Sequence, residues 1–176
     1  MTNFLDWRFR GVASFALALL AMLAAAAAQD KGDKVIVAGK RIGAATLTMT
    51  GDQMIAALGK PAAKIHISDG YLYDYGEFRV VTAEAGPVIR IETDSDAFHT
   101  AEGLGVGSME PDIAGKLGAP AKAEDMKARA DNLLITLGRR LCYEPGLVFL
   151  AEYLPRQPHA TTRVIVRADG CAHAFD

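Results

Sequence analysis

Cysteine and tryptophan are scarce in this chain, and long apolar runs are missing after residue 28. The 176 residues include two cysteines and one tryptophan. Basic and acidic residues nearly balance, 19 against 21, and lysine and arginine form no cluster. The sequence therefore lacks the electrostatic footprint of a nucleic-acid-binding protein. No stretch of residues 29–176 is long and apolar enough to span a membrane.

The N-terminal segment predicts export. Arg8 and Arg10 precede an uncharged run from Gly11 to Ala28 that ends in alanines. A basic region, an apolar region and a small-residue cleavage site are typical of a signal peptide. We place it at residues 1–28, with the exact cleaved bond left open, and expect a periplasmic or secreted protein. An uncleaved membrane anchor is the alternative, because the run approaches the length that spans a bilayer.

The two cysteines, Cys142 and Cys171, predict one disulfide, because exported proteins oxidise such pairs. The alternative is a metal site built on Cys171 and His173, in a C-terminal group that also contains Asp169 and Asp176. This spacing matches no standard set of metal ligands. We therefore predict no bound metal and no other cofactor.

Residues that could carry catalysis are also few. Residues 29–176 contain three serines, none of them in a Gly-x-Ser-x-Gly motif. The four histidines occur singly, without the spacing of metal or protease sites. We predict no catalytic residues and a protein that is not an enzyme.

The glycine-rich stretch from Phe98 to Pro120 looks like a phosphate-binding loop. A dinucleotide loop needs a buried strand before it and a long helix after it, whereas the helix predicted here has about two turns. We expect Gly103, Gly105 and Gly107 to bring an extended segment close to a sheet and to turn it into that helix.

Two segments, Leu47–Pro61 and Val106–Pro120, each predict a short helix that needs tertiary cover. In the first, Thr50 and Gln53 fit a capping box, and Gly59 fits a left-handed C-cap. In the second, Ser108 is the predicted cap, and Gly118 ends the helix. The predicted core-facing residues of the two helices are Met54, Ile55, Leu58, Ile113 and Leu117.

Alternating apolar and polar residues predict three strands after each helix. An extra segment near 122–138 carries Met126, Ala130, Leu133, Leu134 and Leu137 at helical spacing. We predict a helix there, although Leu133–Leu137 alone also fits a strand. The predicted fold class is α+β, with two tandem repeats at residues 29–97 and 98–176. Each repeat is a short helical segment followed by a three-stranded antiparallel sheet, with the helices on one face of a continuous concave sheet.

These motifs resemble the repeat of the β-lactamase-inhibitor-protein-like superfamily, which includes outer-membrane assembly lipoproteins of the SmpA/OmlA type. The similar residues are Thr48–Pro61 and, in the second segment, Phe98, Thr100, Gly103, Val106, Gly107, Ser108, Leu117, Gly118 and Pro120. Thr48 stands where that pattern has glycine. The resemblance implies a sheet with helices on one face and an open concave face on the other, in a binding protein rather than an enzyme.

The sequence Tyr71-Leu72-Tyr73-Asp74-Tyr75 supplies the candidate contact residues, Tyr71, Tyr73, Asp74 and Tyr75. The three tyrosines alternate, so they share one face of a strand. We expect Tyr71 and Tyr73 to be partly packed and Tyr75 to be exposed at a hairpin tip, which with the open sheet face binds a periplasmic protein or envelope component. Two alternatives stay open: an inhibitor of a secreted hydrolase such as a β-lactamase, and a structural component of the cell envelope. The sequence predicts neither the partner's identity nor the oligomeric state.

Overall fold

A computed structural model describes residues 32–130, 133–153 and 160–175, the side chain of Ala130 excepted. These residues form eleven strands and two short helices. The first three strands are β1 (Ile36–Val37), β2 (Arg41–Ile42) and β3 (Ala45–Thr46). Helix α1 (Gly51–Leu58) precedes β4 (Ala63–Ile67), β5 (Gly70–Asp74), β6 (Arg79–Thr82) and β7 (Val88–Thr93). Helix α2 (Glu110–Leu117) precedes β8 (Lys122–Ala130), β9 (Leu133–Tyr143), β10 (Leu147–Glu152) and β11 (Thr161–Arg167). The predicted signal peptide, residues 1–28, lies outside the described residues.

Strands β4 to β11 form one eight-stranded sheet in the order β4-β5-β6-β7-β11-β10-β9-β8, and β1 to β3 form a small separate sheet. Every neighbouring pair is antiparallel. Within each sheet, neighbouring strands are also consecutive in sequence, as antiparallel pairing allows. The exception is the central pair, in which Val164 of β11 lies opposite Thr93 of β7. This pair joins the two halves of the sheet.

Helix α1 begins and ends at the predicted residues. The Thr50 hydroxyl accepts a hydrogen bond from the Gln53 backbone N–H at 3.3 Å, and Gln53 Oε1 accepts one from the Thr50 N–H at 2.9 Å. Gly59, at φ +91°, ends the helix and donates its N–H to the Ile55 carbonyl. Met54 is fully buried. The capping box and the glycine stop are confirmed.

Helix α2 begins one residue later than predicted. Met109 is its N-cap, and no side chain caps it. The Ser108 hydroxyl accepts a hydrogen bond from the Gly105 N–H at 2.9 Å instead, which stabilises the turn before the helix. Gly118 ends the helix as predicted, and Ile113 is buried.

The predicted fold class is wrong. Strands dominate the described residues, four strands rather than three follow each helix, and β1 to β3 add a second sheet. The predicted helix near 122–138 is also absent from this part of the chain, where β8 and β9 form a long hairpin. Lys122–Ala130 pairs along the side of β9 that β10 leaves free. Pairing between strands overrides a weak local helical pattern.

One face of the large sheet carries the main hydrophobic core. Helices α1 and α2, the small sheet and the segment from Phe98 to Leu104 cover this face. Of the three glycines predicted to pack and turn here, Gly105 makes a close backbone approach, and Gly103 and Gly107 supply the positive φ of turns. A Cβ at Gly105 would overlap the Phe98 carbonyl oxygen, and Gly103 and Gly107 adopt φ of +74° and +89°. The nucleotide-loop alternative fails, because the sheet is antiparallel and α2 has eight residues.

Candidate binding surface

The three predicted contact tyrosines lie on the helix-covered face of the sheet. Tyr73 is 4% exposed, and its hydroxyl lies against Gly51 of α1. Tyr71 is half-buried: its ring lies 5.1 Å from the His66 ring, and Lys64 Nζ is 4.3 Å from its centroid. Tyr73 therefore belongs to the core and presents no contact surface, and Tyr71 is partly packed as predicted.

The prediction that Tyr75 is exposed at a hairpin tip is wrong. Its ring is half-buried and stacks on Phe78 at 5.4 Å, and Phe78 in turn packs against Phe98. The Tyr75 hydroxyl is buried without a hydrogen-bond partner among the described residues. Burial, together with the nearby Tyr73 hydroxyl, raises the Tyr75 pKa above its ordinary value of 10.0.

Asp74 has a local structural role. Its carboxylate accepts a hydrogen bond from the Gly76 N–H at 2.7 Å, which closes the turn between β5 and β6. Aspartate is common in turns for this reason. In the sheet register Asp74 pairs with Arg79, so it lies on the face opposite the tyrosines. The four predicted contact residues thus form no common surface.

The second face of the sheet, predicted to be open, carries a band of arginines. Arg79 donates hydrogen bonds to Glu92 and Asp94, both at 2.9 Å. Burial alone would lower the Arg79 pKa, but these two carboxylates outweigh it and raise that pKa. Arg90 lies 3.7 Å from Glu92. Arg163 has no ion pair within residues 32–130, 133–153 and 160–175. Arg79, Arg90 and their carboxylate partners thus form a half-buried network of ion pairs on this part of the face.

The C-terminal segment covers another part of that face, so the face is not fully open. Cys142 and Cys171 form the predicted disulfide, with 29 residues of sequence separation. Cys171 and Ala174 pack on Val148, with Phe175 beside them. The Cys171 sulfur is part of the disulfide and is therefore not free to ligate a metal, and Asp176 of the metal alternative lies outside the described residues. Within the described residues, no group of three potential ligands is placed to hold a metal ion.

A cleft of about 460 Å³ opens between the small sheet, the end of α2 and β9. Its walls are mainly apolar, with two carboxylates, Glu102 and Glu144. The hydrogen bond from the Thr100 hydroxyl lowers the Glu102 pKa, so this carboxylate is charged at neutral pH. A lining of this charge disfavours phosphate groups. Its apolar side chains include Val37, Leu117, Tyr143 and Leu147.

The β8–β9 hairpin extends past the end of β10. The last pair between β9 and β10 joins Gly138 and Glu152. Beyond it, the Tyr153 N–H donates to the Leu137 carbonyl, and residues 133–136 pair with β8 alone within the described part of the chain. We call residues 127–130 and 133–137 the distal hairpin.

Large apolar side chains of the distal hairpin face solvent. The exposed fractions are 65% for Leu133, 60% for Leu134, 40% for Ile135 and 50% for Leu137. Successive residues of a strand point to opposite faces, so both faces of the hairpin expose large apolar groups. The spacing of these leucines in the sequence predicts a helical stripe instead. The sequence signal for a strand is the unbroken apolar run Leu133-Leu134-Ile135. In a strand, such a run places apolar side chains on both faces.

Exposed cations accompany these apolar groups. Arg129 lies directly opposite Leu134, and Lys127 lies opposite Thr136. Both cations are exposed, and neither makes an ion pair with another described residue. The arginines nearer the sheet are paired instead: Arg139 with Glu110 at 2.6 Å and Arg140 with Glu124 at 2.9 Å.

Comparisons with known proteins leave the function open. A scan against protein-family models finds no match, and neither does a search of curated proteins. Among solved structures, the chain is similar to a DUF4309 family protein, YjgB, from Bacillus subtilis. The identity is 14%, the TM-score is 0.45, and the match covers 72% of this chain and 82% of that chain. At this level the similarity supports no functional argument, and the resemblance to the β-lactamase-inhibitor-protein-like superfamily stays a prediction.

Proposed function

We propose that this chain is an exported, non-enzymatic binding protein whose contact element is the distal hairpin. The observation that carries the proposal is the exposure of Leu133, Leu134, Ile135 and Leu137 on both faces of that hairpin. Fully burying one such side chain in an interface contributes about 1.5–3 kcal/mol to the free energy of binding. Contiguous exposed apolar groups of this kind commonly mark interaction sites.

Two features support export to the periplasm or beyond. The disulfide between Cys142 and Cys171 is compatible with an oxidising compartment, and residues 1–28 have the pattern of a signal peptide. Within the described residues, no helix combines the length and the apolar character needed to cross a bilayer.

The serines of residues 29–176 support a role in binding rather than catalysis. Ser68 donates to Asp69 at 2.9 Å, Ser95 accepts from the Ala97 N–H, and Ser108 accepts from the Gly105 N–H. Each hydroxyl thus bonds to a residue within three positions in sequence. A nucleophilic serine instead needs a base within hydrogen-bond reach that is itself held by a third group.

Two alternatives stay open: an inhibitor of a secreted hydrolase, and a structural component of the cell envelope that holds no discrete ligand. Inhibition through the turn at Asp74 and Tyr75 has little support, because Tyr75 packs on Phe78 and Asp74 closes the turn. The distal hairpin offers a larger apolar surface for any partner.

Site-specific photocrosslinking in intact cells tests the proposal. A photoreactive amino acid at position 134 is expected to form an adduct with another macromolecule, identified as protein or lipid by mass spectrometry. The matched control is position 65, because Ile65 is 53% exposed but lies on β4, at the other edge of the sheet. Equal adduct yields at the two positions, or none at 134, would rule out the hairpin as the contact element.

A further inference from the structure

The distal hairpin exposes apolar groups on two faces rather than one. Leu134 shares a face with Arg129, whereas Leu133 and Ile135 lie on the other face, where Ile135 pairs with Ala128. A flat protein surface docked on one face would leave the other apolar face in water. A fluid environment such as the interfacial region of a membrane surrounds a strand pair on both sides, so it covers Leu133, Leu134 and Ile135 together.

Unpaired positive charge lies at the same place. Lys127 and Arg129 are exposed and opposite Thr136 and Leu134, without an ion pair among the described residues. Asp131, in the adjoining sequence, offsets one of these charges. Apolar side chains beside unpaired lysine and arginine are the combination that binds the interface of anionic membranes.

We propose that the distal hairpin binds the surface of a membrane that contains anionic lipids. This inference rests on the proposed function and names the partner class of the same element. The leucines and Ile135 enter the boundary between headgroups and acyl chains, while Lys127 and Arg129 contact lipid phosphates. Charge complementarity thus selects anionic over zwitterionic lipid.

The backbone of β9 limits the depth of insertion. Five residues of a strand span roughly 16 Å, whereas interfacial segments bury their apolar side only about 5–10 Å deep. Residues 133–136 pair with β8 on one side only, within the described part of the chain. Their remaining N–H and C=O groups need water or headgroups, because an open sheet edge is not stable in hydrocarbon. The structure therefore fits peripheral binding rather than spanning.

A single tryptophan placed in the hairpin tests lipid binding directly. The chain has one tryptophan, Trp7, so the double variant Trp7→Phe/Leu134→Trp carries its only reporter at the proposed contact. We expect a blue-shifted emission, with quenching by brominated acyl chains, on vesicles of phosphatidylcholine mixed with phosphatidylglycerol. On phosphatidylcholine alone, and in high salt on the mixed vesicles, the shift should be much smaller. The matched control is Trp7→Phe/Ile65→Trp, which should show no shift, whether or not the N-terminal segment is attached.

Charge removal separates electrostatic from purely apolar binding. Adding Lys127→Gln and Arg129→Gln to the Leu134→Trp reporter should weaken binding to the anionic vesicles about thirty-fold, from the contribution of each cation near such a surface. An unchanged melting temperature checks that the fold is intact. An undiminished affinity would contradict the role of these two cations.

The outcomes distinguish this inference from the proposed function. If the Leu134→Trp reporter gives no shift on anionic vesicles while photocrosslinking at position 134 captures a protein, the lipid inference fails and the binding function stands. If the emission shifts with protein concentration before any vesicle is added, the occupant is a second copy of this chain and the lipid inference also fails. Absence of both the vesicle shift and the crosslink overturns both proposals.

Discussion

Two tyrosines, Tyr75 and Tyr143, have buried hydroxyl groups that affect the stability of this protein. The Tyr75 hydroxyl has no hydrogen-bond partner among the described residues, and Tyr143 has a buried hydroxyl of the same kind. A buried polar group without a partner lowers the free energy of unfolding by about 1–3 kcal/mol. The alternation of Tyr71, Tyr73 and Tyr75 predicted a shared face, but nothing in that spacing indicates which face α1 covers.

We predict that Tyr75→Phe leaves the free energy of unfolding unchanged or raises it by about 1 kcal/mol, because it removes the unpaired hydroxyl and keeps the stacking on Phe78. The effect should also depend on pH. Since folding raises the Tyr75 pKa, the unfolded state ionises first as pH rises above its ordinary value. The free energy of unfolding of the wild type is therefore unaffected by this group below about pH 10 and falls as pH rises above it. Tyr75→Phe should lack this fall. Denaturant unfolding of wild type and variant, at neutral and alkaline pH, measures both effects.

Tyr71→Phe is the matched control, because Tyr71 lies on the same face of the sheet, in the strand β5 that leads to Tyr75. We expect a change within about 0.5 kcal/mol at neutral pH. Loss of more than about 1 kcal/mol in Tyr75→Phe, with Tyr71→Phe neutral, would show that the Tyr75 hydroxyl has a partner.

Among the elements, the helices follow local sequence and the β8–β9 hairpin does not. Thr50, Gln53 and Gly59 define α1 through contacts within a few residues, so their sequence suffices. Residues 122–138 carry an apolar spacing that fits a helix and, in part, a strand. The edge of β9 that β10 leaves free favours the strand, because residues 122–130 satisfy their backbone hydrogen-bonding groups by pairing with that edge.

Two glycines near α2 should respond to the same substitution in opposite ways. Gly105→Ala is expected to lower the free energy of unfolding by about 1–3 kcal/mol, because the new Cβ meets the Phe98 backbone. Gly115→Ala should raise it by about 0.5–1 kcal/mol, because this glycine lies inside α2 with open space around it. Thermal and denaturant unfolding of both variants measures the difference. A neutral Gly105→Ala would mean that the Phe98 segment moves freely, against the packing described for it.

In the whole molecule, the disulfide holds the C-terminal segment on the second face of the sheet. Cys171 and Ala174 cover Val148, which is fully buried although it lies on the face away from the helices. This cover depends on residues distant in sequence. Because the C-terminal segment covers Val148, the face predicted to be open is only partly open.

We predict that the double variant Cys142→Ala/Cys171→Ala lowers the free energy of unfolding by about 3.5 kcal/mol, from the loop-closure entropy of a 29-residue separation. Denaturant unfolding with and without reductant measures it. Reductant should bring the wild type to the value of the variant and leave the variant unaffected. A difference below about 1 kcal/mol would show that the C-terminal segment stays in place without the covalent link.

The sequence by itself determined the features that depend on few or local partners. Two cysteines allow a single pairing, so Cys142–Cys171 needed no coordinates, and the caps of α1 follow from residues within one turn. The tertiary structure alone decided the sheet order, the strands at 122–138 and the burial of Tyr75. Each of these depends on which distant segment lies alongside, and a local apolar pattern has the same letters whether it meets a core, a neighbouring strand or solvent.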